Sequence, residues 1–207
     1  MRLSEIITSP ARDEYLDNYT TKFNGAVSQA TIKNLTLKKA QTSSDIHYGL
    51  FDQVENLVGY LSLRNHVSAV DLNAPNDIWV VSLAQLAQAY KGQGYGTFLY
   101  DYAIMNDKIK VLSDETNTGG PHGSRNLWLR LRDNRRYKVV GYNIETNEII
   151  PDATPEMIFD EEPNTRWLAL PPGETINETL VRIQRNMRER YVVWYGPGTT
   201  SEHYFNY

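Results

Sequence analysis

Residues 78–105, IWVVSLAQLAQAYKGQGYGTFLYDYAIM, constrain the fold of this chain more than any other stretch. They open as a buried-strand pattern, in which Ser82 and Gln85 are the polar interruptions. Lys91-Gly92-Gln93-Gly94-Tyr95-Gly96 then places three glycines within five positions. After this loop Phe98, Leu99, Tyr102, Ala103 and Met105 recur at helical spacing, with Thr97 and Asp101 off the stripe. A strand, a glycine turn and a helix start in succession make a natural anion site. Backbone N–H groups point into the loop, and the positive end of the helix dipole stands behind them. Glycine suits such a loop because a Cβ would bar the backbone from a phosphate and forbid positive φ. A tight strand-to-helix connection without a ligand would use the same residues.

Two phosphate loops are excluded by spacing. No Gly-Lys-Ser/Thr ending follows Gly92, and the glycines run G-x-G-x-G, not the G-x-G-x-x-G of dinucleotide sites. The 207 residues suffice for one sizeable domain, or for a domain with an appendage. A hydrophobic share of 41% and a charged share of 22% are those of a globular chain. A net charge of −4 argues against a protein built to grip nucleic acid, while leaving room for a local basic patch. Without cysteine there is no disulfide, thiolate metal site or thiol nucleophile. His47, His66, His122 and His203 have no metal-ligand spacing, so no metal is expected. No apolar run reaches membrane-spanning length, and the first residues form no signal peptide, so a cytoplasmic chain is expected.

Along the chain, Ser9-Pro10 opens a helix whose stripe is Tyr15, Leu16, Tyr19 and Phe23, ending near Asn24-Gly25. One strand is expected over 31–39. Residues 45–51 and 57–64 read as an antiparallel hairpin across 52–56. Beyond the central helix, 109–112 is a short strand, followed by a glycine-rich loop over 116–123. Ser124 can cap a helix with Leu127, Trp128 and Leu131 on its apolar side. Residues 137–142 and 148–150 form a second hairpin. These elements predict an α+β fold, a mixed and largely antiparallel sheet flanked by helices.

The run from Leu86 to Gly96, LAQAYKGQGYG, resembles the cofactor motif of the GNAT (acetyl-CoA-dependent N-acetyltransferase) superfamily, Arg/Gln-x-x-Gly-x-Gly/Ala between a strand and a helix. Lys91 replaces the usual arginine, and Gln88 stands where proline is common. The resemblance covers about residues 45–150, with the glycine loop its specific part. Leu112-Ser113-Asp114, the glycine-rich loop, Leu127-Trp128 and the hairpin around Asn143 look like acetyltransferase-like proteins of tailed phages, which would place the chain in a host cytoplasm or a virion. The resemblance implies acetyl-CoA as co-substrate and an amine acceptor as the second partner. It implies that backbone amides of Gln93, Gly94, Tyr95, Gly96 and Thr97 hold the pyrophosphate, with Lys91 and Gly92 beside them. It also implies that the main chain of 84–86 pairs with the pantetheine arm and that the Leu86 amide meets the thioester carbonyl. In that family the two strands flanking the glycine-loop helix splay apart to admit the arm. The resemblance assigns 1–150 to the acetyltransferase-like domain (core 45–150) and 151–207 to a carboxy-terminal extension.

Acetyl transfer to an amine needs a neutral nucleophile, a donor for the oxyanion and a proton for the leaving thiolate. The family's acid is often a tyrosine on the last core helix, and Trp128 occupies that position. Candidates for the base are Asp114 and Glu115, which end a strand beside the expected cleft, and His122, whose intrinsic pKa is near neutral. Each has a plainer role: Asp114 as a cap or loop former, His122 as a solvated loop residue. Tyr90 and Tyr95 either stack on the cofactor or pack in the core, and Lys91 either neutralises phosphate or is solvated.

From Pro151 an acidic, proline-punctuated segment reads as a linker. Thr175-Ile176-Asn177-Glu178 is a capping box, followed by the stripe Leu180, Ile183, Met187 and Tyr191. Residues 191–195 read as a strand. That extension packs on its own domain or on another chain, by self-association or with a protein partner. Two functions follow: an N-acetyltransferase acting by direct attack in a ternary complex, since no cysteine can carry an acyl-enzyme, or a catalytically inactive protein of the same fold serving as a structural component.

Overall fold

The computed structural model describes residues 14–65, 78–114, 124–146, 148–161 and 164–174. Its first half is an antiparallel meander whose turns are chemically marked. The strand expected over 31–39 is in fact two, β1 (Ser28–Ile32) and β2 (Leu35–Gln41), because the chain reverses at Lys33, which has φ 52°. β3 (Asp45–Phe51) and β4 (Leu57–Asn65) form the expected hairpin. Its turn is organised by Asp52, whose Oδ1 accepts from the Val54 amide at 3.0 Å and the Asn56 amide at 2.9 Å. β5 (Ile78–Leu86) follows, antiparallel to β4.

α2 (Tyr95–Asp101) follows the glycine loop and runs without a break into a π-helical turn, Tyr102–Asn106. β6 (Lys110–Leu112) returns parallel to β5. α3 (Arg125–Asp133) then leads to the hairpin of β7 (Lys138–Asn143) and β8 (Glu148–Ile150). Ser124 precedes α3 with helical backbone angles and makes no side-chain cap, contrary to the expected capping role. A last described strand, β9 (Thr165–Leu170), lies outside the sequence reading and is inserted between β6 and β7. The sheet order is β1-β2-β3-β4-β5-β6-β9-β7-β8. Every described pair except β5 with β6 is antiparallel. The protein is thus an α+β fold with a mixed, largely antiparallel sheet and helices against it.

Described helices lie on both faces, on one of them only over the β2–β4 end. α1 (Glu14–Thr20) and the 3-10 turn after it (Thr21–Phe23) pack on one: Tyr19 stacks on Tyr60 at 4.6 Å, and Phe23 meets Phe51 and Tyr60 edge-on. Gly59, one residue before Tyr60, points to the opposite face, where Leu86 lies against it and against Gly96 of α2. Trp128 on α3 meets Tyr100 on α2 edge-on at 5.7 Å, and both are buried. A second apolar cluster, including Leu112, Val140, Leu168 and Leu170, occupies the other side of β6, β7 and β9 from Val111, Trp167 and Ala169. Among the described residues no helix is long and apolar enough to cross a membrane.

Candidate functional site

The parallel pair β5–β6 separates after three residues. Ile78, Trp79 and Val80 pair with Lys110, Val111 and Leu112, and no further pair follows among the described residues. β5 nevertheless continues against β4 as far as Leu86. Two local features drive the strands apart. In β5 the register shifts so that Val81 faces Leu63 and Leu83 faces Ser62, leaving Ser82 as the extra residue of a bulge. A bulge bends its strand and raises its twist. On the other side β6 turns to β9: Val111 and Leu112 pair with Ala169 and Leu168.

Among the described residues, the far edge of β5 is therefore unpaired from about Val81 onward. The Ala87 amide donates back to the Val58 carbonyl of β4 at 2.9 Å. Strand amides alternate in direction, so the main-chain groups of Leu86 and Ala84 face away from β4, into the opening.

At the end of β5 a 3-10 turn (Gln88–Tyr90) carries the chain into the glycine loop. Gly92 and Gly94 have φ of 75° and 88°, and a Cβ built on either would meet nothing within 4 Å. The loop is thus uncrowded, and its shape depends on glycine. The first helical bond of α2 runs from the Phe98 amide to the Gly94 carbonyl at 3.0 Å. The amides of Tyr95, Gly96 and Thr97 precede it and have no intrahelical acceptor. They are the amides the sequence motif singles out, and the N-cap residue, Gly94, makes no side-chain cap.

Other site residues fall less uniformly. Lys91 is exposed at the loop's rim. The Gln93 side-chain amide donates to the Ala89 carbonyl at 2.7 Å, bracing the loop. Tyr95 is buried, with its ring 5.8 Å from that of Tyr90 and under the Lys33 ammonium, so it is a core residue. Asp114 stands two residues beyond Leu112, at the same end of the sheet as the glycine loop. Its carboxylate lies close enough to the Tyr100 phenol to add to burial in pushing that group's pKa up. Trp128 is wholly buried, edge-on to Tyr100 of α2. Glu115 and His122 lie outside the described residues, as do the expected helix start at Ser9-Pro10, the helix over 175–191 and the strand over 191–195.

Sequence reasoning passed over a polar chain beside the opening. His47 on β3 is buried, and its Nδ1 lies 3.1 Å from the Ser62 hydroxyl and 2.9 Å from that of Tyr60. The Ser82 hydroxyl, on the bulge, donates to Ser62 Oγ at 2.9 Å. Burial and the Lys22 ammonium hold His47 below the usual histidine value, with Asp45 opposing in part.

A separate cleft of about 640 Å³ opens at the opposite end of the sheet, lined in part by Arg132, Arg135, Arg136 and Lys138. Arg132 lies in the last turn of α3 and Arg135 and Arg136 just past it, where cations complement the negative end of the helix dipole.

No family model matches this chain, and no curated protein matches it. Among solved structures it is similar to a protein assigned to the GNAT acetyltransferase family from Bacteroides thetaiotaomicron, at 11% identity and a TM-score of 0.34, over 85% of this chain and 80% of that one.

Proposed function

We propose that this protein is an N-acyltransferase that moves the acetyl group of acetyl-CoA to an amine by direct attack in a ternary complex. The observation that carries this reading is the separation of β5 from β6 beyond Val80 and Leu112, with the glycine loop at the end of the freed strand edge. A pantetheine arm carries amides that can pair with the main chain of Ala84 and Leu86 much as a strand would. Its pyrophosphate would then meet the amides of Tyr95, Gly96 and Thr97 at the positive end of α2, with Lys91 adding charge at the rim. Main-chain amides along the freed edge of β5 are the donors available for the carbonyl oxygen as it gains charge.

Acetyl-CoA should raise the melting temperature of the full chain; at 100 times its dissociation constant the stabilisation is about 2.7 kcal/mol. Gly94→Glu, which puts a carboxylate into the cradle and a side chain at φ 88°, should abolish the shift. No shift at millimolar acetyl-CoA would count against the cofactor assignment. A normal shift with no transfer to any amine would favour the catalytically inactive alternative, to which the burial of Trp128 already lends support.

A further inference from the structure

We infer that His47 is the terminal proton acceptor of a relay that reaches the opening beside β5 through the hydroxyls of Ser62 and Ser82. This rests on the acyl-transfer reading and supplies the base which that reading lacks. Ser82 is the bulged residue two positions beyond the last β5–β6 pair, and it is exposed, whereas His47 is buried. The path is short at each step: 2.9 Å from Ser82 Oγ to Ser62 Oγ, and 3.1 Å from there to Nδ1. In the arrangement the relay uses, Ser82 donates to Ser62, Ser62 donates to Nδ1 and the ring proton resides on Nε2, while the Tyr60 hydroxyl, 2.9 Å from the same Nδ1, directs its proton elsewhere. Ser82 also lies 3.2 Å from the Ser62 carbonyl, which competes for the same proton and holds the hydroxyl in place when no acceptor is bound.

The charged and titratable groups around the ring favour its neutral form. Lys22 faces it from the turn after α1, Asp45 from its own strand, and Tyr60 from β4, with Tyr19 of α1 stacked on Tyr60. Burial and Lys22 outweigh Asp45, so the imidazole is free to accept a proton at neutral pH.

In the transfer the amine nitrogen forms a bond to the acetyl carbon and the carbon–sulfur bond breaks. The nitrogen's proton passes to Ser82 Oγ, the Ser82 proton to Ser62 Oγ, and the Ser62 proton to His47 Nδ1, leaving an imidazolium. The departing thiolate takes a proton from solvent, and His47 returns its own to solvent along the same hydroxyls.

The test uses the full chain, acetyl-CoA and hydroxylamine, an amine nucleophile that is uncharged at neutral pH. Thiol release is read with a thiol-reactive dye: the protein contributes no thiol because it has no cysteine, and the spontaneous cleavage of acetyl-CoA by hydroxylamine is subtracted with a protein-free control. Ser82→Ala should lower kcat roughly a hundredfold, within the range of general acid–base effects, and leave KM for acetyl-CoA unchanged. His47→Gln should do the same and also remove the limb of the pH–rate profile that rises as His47 loses its proton, an effect a packing role would not have. Ser82 is exposed, so its variant keeps the test decisive even if His47→Gln does not fold. Wild-type kcat and pH profile in Ser82→Ala would overturn the relay alone. A wild-type chain that neither binds acetyl-CoA nor releases thiol from it would overturn the transfer reading and the relay together.

Discussion

Ser113 and Trp167 are joined by two hydrogen bonds: the Ser113 amide donates to the Trp167 carbonyl at 2.8 Å, and the Trp167 amide donates to Ser113 Oγ at 3.1 Å. Both residues are wholly buried. This clasp commits the end of β6 to β9, on the side away from β5. The opening beside β5 is therefore held from two directions, by the bulge at Ser82 and by a side-chain hydroxyl that keeps β6 turned away.

Ser113→Ala removes the acceptor of a buried amide without adding bulk. It should cost about 1–3 kcal/mol, the penalty of leaving such a donor unpaired. Thermal or denaturant unfolding measures this directly. Acetyl-CoA affinity should fall as well, because β6 is then free to approach β5 and narrow the gap. A variant with wild-type stability would show that the clasp does not hold the strand.

Asp114 separates two possible bases. Its position at the end of β6 fits a catalytic role, but its neighbour Tyr100 is buried. With His47 as the proton acceptor, Asp114→Asn should lower the melting temperature and leave the rising limb of the pH–rate profile in place. Loss of that limb in Asp114→Asn, with His47→Gln unaffected, would transfer the role to Asp114.

Stability should fall on both sides of neutrality. On the acid side, His47 is held below an unfolded histidine, whose pKa is about 6.5, so the unfolded chain binds more protons as pH drops below that value. The His47 contribution is complete above about pH 6.5 and is lost as pH falls toward the folded pKa. On the alkaline side, burial raises the phenols of Tyr48, Tyr100 and Tyr137. The Asp107 carboxylate, which accepts from Tyr48, acts in the same direction there, as do Asp114 on Tyr100 and Asp101 on Tyr137. Stability is then complete below about pH 10, where unfolded tyrosines ionise, and falls as pH rises past it. Unfolding free energy measured across pH in wild type and His47→Gln checks the acid limb, which the variant should flatten.

What the sequence made legible was local. The β3–β4 hairpin announces itself through alternation and the Asp52 turn, and the glycine loop through spacing alone. β9 was missed although Trp167-Leu168-Ala169-Leu170 is an apolar run ending at Pro171, with Pro163 shortly before it, a pattern that bounds buried strands. The acidic segment before it suggested a linker and drew attention from the strand. The His47 chain was beyond reach for a different reason. Its members are 15 and 20 residues apart along the chain and meet only through cross-strand register, which depends on the bulge at Ser82. Trp128 was legible in part: helical spacing put it on the apolar side of its helix, but not against Tyr100 in particular.

The last prediction concerns the face of the sheet that carries Leu112, Leu168 and Leu170. All three have no exposed surface, and every buried member of their cluster lies on a strand. No described helix contributes to that cluster, so an apolar sheet face is dry without a described layer above it. Lys110, which alternation puts on the same side of β6 as Leu112, binds Glu174 at 3.0 Å. The chain is therefore on this face at the last described residue. The sequence beyond it has a capping box and then Ile176, Leu180, Ile183 and Met187 at helical spacing. Burying four such side chains stabilises by about 1.5–3 kcal/mol each before entropy is charged. Deleting residues 175–207 should accordingly yield a poorly soluble chain that binds a hydrophobic dye, and Lys110→Ala should weaken the same docking in the full chain. If the extension instead joins two copies, the full chain should be an oligomer and the deletion a soluble monomer that still binds acetyl-CoA. Sedimentation of both forms decides between these outcomes, and a soluble monomeric deletion from a monomeric parent would rule out both.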